Sequence, residues 1–240
     1  MSSAAGENGA TPAAVAAAVR ANFAAGVASL DMDQVPEAAE ALAAHLGADG
    51  LLCVLGAGHS QLIALEGFCR AGTPAWVVPL LDDRLSPARG LASSSAENCP
   101  GLGTELISRL LGGQLRDRAR ALLVVSASGL TPVAVEAAEA ARGRGLLILA
   151  LTARRDDSPL AAVSDHVLAS GATAGDATTE VCGTMMAPQS TVRGVVLLHA
   201  LLAATEALRS AREVLLPEKM AGGPLHNREL LRRYPQLASA

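Results

Sequence analysis

Residues 51–68 read LLCVLGAGHSQLIALEGF: an aliphatic run, a glycine-histidine-serine turn, then apolar residues at helical spacing. A strand that feeds a helix through glycines opens a βαβ unit, with the helix N–H groups facing whatever the turn holds. Such turns serve dinucleotide, phosphate and sugar sites alike, and in other folds the glycine only makes room. The rest of the chain has to choose between these.

Four more aliphatic runs follow: AWVVP at 75–79, ALLVVS at 121–126, LLILALT at 146–152 and DHVLAS at 165–170. Most are continuously apolar rather than alternating, the pattern of strands covered on both faces. Helical stretches at 61–70, 104–111 and 132–142 lie between several of them. Strands alternating with helices predict right-handed crossovers and a parallel sheet. Ahead of the core, residues 12–29 and 34–46 carry alanine-rich helical patterns, with Asp31 or Asp33 as a cap for the second. Residues 189–214 form the longest helical pattern and 224–234 a short polar one. The reading is thus a flexible tail (1–11) and one domain (12–240), made of N-terminal helices (12–47), an α/β core (50–215) and a C-terminal helical segment (224–240). Residues 82–103, DDRLSPARGLASSSAENCPGLG, read as a loop, and one that long in a compact domain is functional or mobile.

Composition narrows the function. The 240 residues are 50% hydrophobic, 2% aromatic and 18% charged, with a net charge of −4. This is a globular, aliphatic chain with neither the basic footprint nor the stacking platforms of a nucleic-acid binder. No uninterrupted apolar stretch reaches ~18–20 residues, so no membrane span is expected. The start lacks a basic region followed by an apolar one, so no signal peptide is expected either. Cys53, Cys69, Cys99 and Cys182 are scattered without a C-x-x-C pair. They predict reduced, mostly buried thiols in a cytoplasmic protein, and no zinc site.

In an open parallel sheet ligands bind beyond the carboxyl ends of the strands. Two turns there carry chemistry. The second is SASGLTP, Ser126 to Pro132, between a strand and a helix. Its hydroxyls at Ser126, Ser128 and Thr131, with Gly129, face a helix N-terminus that favours an anion. It has no lysine, so the G-x-x-x-x-G-K-[ST] nucleotide loop is absent, and a small phosphate monoester suits it better. Taken singly, Ser128 is equally a helix cap. The first turn, GAGHS, resembles the start of G-x-G-x-x-G, but Gln61 stands at the third glycine and no acidic residue closes the next strand. A dinucleotide is not expected.

Together the G-x-G-x-S and S-x-S-G-x-T turns resemble the SIS (sugar isomerase) domain over roughly residues 35–215. Within it the chain is most similar to stand-alone bacterial phosphosugar-binding proteins, and distantly similar to N-acetylmuramic acid 6-phosphate etherases. The matching stretches are GAGHSQLIALEGFCRAG at 56–72, GDATTE at 175–180, QSTVRG at 189–194 and HNREL at 226–230. The chain departs from that group at SASGLTP, where S-N-S-G-x-x-P is usual, and in a shorter loop at 153–160. The resemblance implies a three-layer αβα sandwich with a five-stranded parallel sheet, like flavodoxin. It implies a sugar phosphate across the strand ends and a homodimer whose two chains complete each site. Ser60, Ser126, Ser128 and Thr131 map onto the phosphate-binding hydroxyls, with Gly58 and Gly129 in the same turns.

Reactions on open-chain sugar phosphates begin with loss of the proton at carbon 2, which needs a carboxylate or imidazole base. Glu66 is the first candidate, set among apolar neighbours that would raise its pKa. The competing reading pairs it with Arg70 at i,i+4. His59 is placed to open the ring or bind a hydroxyl. Glu180 is a second acid/base or a hydroxyl ligand, and Gln189 a ligand beside it. His226 and Glu229 sit in a late segment that could reach a partner's site. His45, His166 and His199 are assigned nothing, and neither metal nor organic cofactor is expected. The function read from this is an enzyme on a hexosamine 6-phosphate of the N-acetylglucosamine 6-phosphate kind. Carbon-2 proton abstraction would lead to loss of water or to aldose–ketose isomerisation. An etherase proper is disfavoured, because Arg70 falls near the etherases' catalytic Glu. The alternative is a non-catalytic sugar-phosphate sensor, which needs hydroxyl contacts but no acidic residues of shifted pKa.

Overall fold

The computed structural model describes residues 11–112, 115–153, 158–172 and 176–238; residues 1–10 of the expected tail lie outside these. The five aliphatic runs form β1 (Leu51–Gly56), β2 (Val77–Leu80), β3 (Ala119–Val125), β4 (Leu147–Thr152) and β5 (His166–Ala169). All pair in parallel, in the order β2-β1-β3-β4-β5. This is the flavodoxin-like order, and its direction reverses between β1 and β3, where a crevice opens at the strand ends.

Alternate side chains of each strand enter two cores, because the strand period is two. Leu52, Val54, Leu123 and Leu149 face α2 (Val35–Leu46), α3 (Ser60–Glu66) and α8 (Ser190–Arg209). Cys53, Leu55, Leu122 and Ile148 face α5 (Leu102–Leu110), α6 (Pro132–Arg142) and α7 (Pro159–Ala162). The three layers expected from the sequence are therefore present. Before them runs α1 (Pro12–Ala28), capped by Thr11, whose hydroxyl accepts from Ala14 N. After them comes α9 (Gly223–Arg233).

Several expectations are corrected. Neither Asp31 nor Asp33 caps α2; Gln34 holds the cap position without a side-chain cap bond. Its amide instead binds both backbone groups of Ala169, donating to the carbonyl (3.0 Å) and accepting from the N–H (2.6 Å). That pairs the last residue of β5 on its open edge with the two bonds a neighbouring strand would supply there. Residues 82–103 are not a plain loop. Two 3₁₀ turns, Asp83–Leu85 and Pro87–Arg89, are capped by Asp82 and Ser86 and lead into α4 (Leu91–Glu97). Fully buried Leu85 anchors them against Leu102, Leu106 and Val133. Elements this short show no periodicity, so the sequence concealed them.

The stretch before α8 forms an antiparallel hairpin, β6 (Ala177–Val181) and β7 (Thr184–Pro188). Its two-residue turn puts Cys182 and Gly183 at positive φ (50° and 77°), the twist such a hairpin needs. Helix α8 stops at Arg209 rather than 214, because Ser210 turns left-handed. The chain then lies along 72–75, with Ala75 N donating to Glu213 O and Leu215 N to Thr73 O.

The thiols are also not mostly buried: Cys69, Cys99 and Cys182 are exposed and only Cys53 is enclosed. Burial pushes the Cys53 thiol up to about 12. Helix α8 is, by length and a hydropathy of 1.4, apolar enough to cross a membrane, which the sequence reading did not anticipate. In the fold Leu197, Leu198, Leu201 and Leu202 put it in the core beside α2 and α3.

Candidate active site

A cavity of about 580 Å³ opens at the β1/β3 switch point. Its walls come from the β1 turn, the β3 turn, α4 and the first residues of α8. In both turns the glycines stand where a side chain would clash. A Cβ on Gly56 would stand 2.4 Å from the Ser60 carbonyl, so Gly56 lets α3 fold back close to its strand. Gly58 sits at φ +55°, where its N–H donates to Leu85 O (2.8 Å), and a Cβ there would stand 2.7 Å from Glu97 Oε1. The glycines make room, and what they make room for is a turn that points His59 and Ser60 into a cavity.

The second turn is built from its hydroxyls. Ser126 Oγ lies 3.1 Å from Thr131 Oγ1 and accepts from Gly129 N at 3.2 Å. Ser128 Oγ accepts from Leu130 N, so it shapes the turn and does not cap the helix. The cap residue of α6 is Thr131, whose side chain makes no cap bond to the helix. Gly129 has φ +66°, and a Cβ there would stand 2.3 Å from Ser158 Oγ. The result is a hydroxyl cluster at the amino end of an 11-residue helix, where the dipole favours an anion. Ser170, Ser190 and Thr191 add hydroxyls from the far wall.

The structure thus gathers Gly58, His59, Ser60, Ser126, Ser128 and Thr131 around one space, with Gly129 folded behind the second turn. It does not gather the other expected groups within this chain. Glu66 lies at the far end of α3, ion-paired with Arg70 and 3.5 Å from His199 Nε2 on α8. The structure has the Arg70 pairing that competed with a catalytic reading. Glu180 is exposed on β6, opposite Met185. His226 Nε2 is 2.9 Å from Val214 O, and Glu229 is exposed on α9. Gln189 is buried beside the cavity and donates to Thr178 Oγ1 at 2.7 Å. Its backbone N–H and that of Ser190 both bond Asp176, which fixes the start of α8.

The sequence reading missed Glu97. It ends α4, lines the cavity and lies close enough to His59 for the two charges to interact. Burial raises its carboxyl above the usual range, and the His59 charge pulls the other way. The signal available was its place in the long stretch 82–103, which reads as functional or mobile. Among the described residues, no three His, Cys, Asp or Glu side chains gather as a metal set.

The SIS domain family model matches residues 4–153. A UPF0309 protein of Brucella canis is 35% identical over 214 residues, covering 84% of this chain and 87% of the relative. A candidate phosphosugar isomerase involved in capsule formation, from Bacteroides fragilis, superposes with a TM-score of 0.52 and 26% identity, over 80% of this chain and 88% of that one. An E. coli CFT073 protein in complex with A5P is similar in fold, with a TM-score of 0.55 at 17% identity, over 89% and 95% of the two chains. So is the Vibrio vulnificus NanR protein complexed with ManNAc-6P, with a TM-score of 0.51 at 15% identity, over 97% and 70%.

Proposed function

Because the chain belongs to the SIS domain family, and among its relatives to the UPF0309 proteins, we propose that it is an enzyme acting on a hexosamine 6-phosphate. The observation that carries this is the hydroxyl cluster of Ser126, Ser128 and Thr131 at the amino end of α6, opening on a 580 Å³ cavity. A phosphate monoester accepts hydrogen bonds from all three hydroxyls and sits in the favourable end of the helix dipole. The sugar then runs toward Ser60 and His59, which bind or open the ring. The ligands A5P and ManNAc-6P in two proteins of similar fold accord with a sugar phosphate here.

The chemistry is loss of the carbon-2 proton. With a hydroxyl or free amine at carbon 2, reprotonation at carbon 1 gives the ketose. With an acetamido group there, expulsion of the carbon-3 hydroxyl as water becomes the open route. Small residues around the turns, Ala57 and Ala127, leave space for such a group. The reading invokes neither a metal nor an organic cofactor. Calorimetric titration tests it: N-acetylglucosamine 6-phosphate should bind at least about 100-fold more tightly than N-acetylglucosamine, since the phosphate contacts supply most of the affinity. Equal affinity for the two would refute the assignment.

We extend the proposal to a homodimer with shared sites. Met185 and Met186 of the β6–β7 hairpin and Leu62 and Leu65 of α3 are exposed apolar side chains. In this proposal a partner covers them and completes each cavity, and Glu180, on the same hairpin as Met185 and Met186, is the group it supplies. Sedimentation at micromolar concentration should give twice the 24.2 kDa chain mass. A monomer with full turnover refutes this part.

A further inference from the structure

We infer that Glu97 is the base that takes the carbon-2 proton in this cavity, a role for which the sequence pointed to Glu66. The inference rests on the proposed function and names the group that does its chemistry.

Three observations carry it. First, Glu97 lines the same space as the hydroxyl cluster, whereas Glu66 does not. Second, that carboxylate lies over Gly58 in the first turn, where a Cβ would stand 2.7 Å from Oε1 and push the side chain aside. Third, among the described residues the Glu97 carboxylate has neither a hydrogen bond nor an ion pair, while the Glu66 carboxylate is held by Arg70 and faces His199. A base needs a lone pair that is not already engaged, within reach of the bound carbon. Burial raises the Glu97 carboxyl, which strengthens it as a proton acceptor, and His59 is the charged neighbour that keeps it from rising further. Among the described lining residues, these two are the ionisable side chains.

The step balances without any further reagent. The Glu97 carboxylate takes the proton from carbon 2. The C2–H electron pair forms the carbon 1–carbon 2 double bond, and the carbonyl π pair moves onto oxygen 1. His59, in the turn facing the same space, donates a proton to that oxygen. Running backwards, the carboxylic acid returns a proton to carbon 2. In D₂O that proton has exchanged with solvent, so recovered substrate carries deuterium.

The test is loss of the carbon-2 proton signal of N-acetylglucosamine 6-phosphate and ManNAc-6P in D₂O, with calorimetry on the same samples. Glu97→Gln keeps the size of the side chain and breaks no described bond. It should slow exchange by roughly 10²–10⁴-fold and leave affinity within about threefold. Glu66→Gln should leave exchange within about threefold of the parent chain. Glu97→Asp, which keeps the base but shortens its reach, should retain part of the rate. Exchange that survives Glu97→Gln, or that is lost in Glu66→Gln with affinity kept, overturns the assignment. So does a wild-type protein that binds both sugars and exchanges neither, the behaviour of a sensor. Failure to bind either sugar instead overturns the functional reading beneath it.

Discussion

Alanine at Ser128 and Thr131 together should weaken binding of N-acetylglucosamine 6-phosphate by about 10²–10⁴-fold while the chain stays folded. Each hydroxyl lost removes a hydrogen bond to a charged group, worth about 1.5–3 kcal/mol, and each 1.4 kcal/mol is tenfold in affinity. The folded chain depends little on either group. Thr131 caps α6 by backbone position alone, and Ser128 has only the short bond from Leu130 N. Ser126 keeps its bond from Gly129 N when the Thr131 hydroxyl is gone. The unphosphorylated sugar should bind the double variant as it binds the parent. Calorimetry on both sugars separates a lost phosphate contact from a damaged cavity, and unchanged affinity for the phosphate refutes the turn's role.

Replacing Glu213 by Gln should lower the unfolding free energy by about 3–5 kcal/mol, the cost of breaking a buried ion pair from one side. The Glu213 side chain is 1% exposed and that of Arg209 5%, with Arg209 Nη2 at 2.9 Å from Glu213 Oε2. Arg233 ion-pairs with the same carboxylate. Around them Trp76 Nε1 donates to Glu206 Oε2 at 2.9 Å, and Glu213 N donates to Glu206 Oε1 at 2.8 Å. The cluster fastens the end of α8 and the segment after it to the strand edge at Ala75–Trp76. Without the negative charge, Arg209 would stay buried against a neutral amide. Asp49→Asn is the control. Asp49 is exposed where it meets Arg233, and losing that pair should cost less than about 1 kcal/mol. Denaturant unfolding measures both, and a cost below about 1 kcal/mol for Glu213→Gln contradicts the account of this cluster.

The sheet was legible in the sequence because its strands are covered on both faces. A run such as LLCVL or ALLVV needs no partner to announce itself, and the order of runs and helices then fixes a parallel sheet. The two turns were legible for a similar reason: glycines and hydroxyls at a strand-to-helix junction act locally. Glu97 was hidden because its place depends on a contact across some forty residues of chain, between the end of α4 and Gly58. Neither end of that contact carries a periodic signal. Glu66, expected at the site, lies outside the cavity for a local reason. Its apolar neighbours suggested burial, but α3 is a seven-residue helix whose cavity side is set by Ser60 and Ile63. That leaves Glu66 at the far end with Arg70. The β6–β7 hairpin was missed because most of its side chains are exposed or half-buried and TMMAP ends in proline, so neither alternation nor a continuous apolar run marks it.

A crystal structure of the complex with N-acetylglucosamine 6-phosphate tests the central claim most directly. The phosphate oxygens should lie about 3 Å from the hydroxyls of Ser128 and Thr131 at the start of α6, with carbon 2 beside Glu97. A phosphate bound anywhere else, for example against the arginines Arg116, Arg120 and Arg144 that line a second cavity, would contradict it.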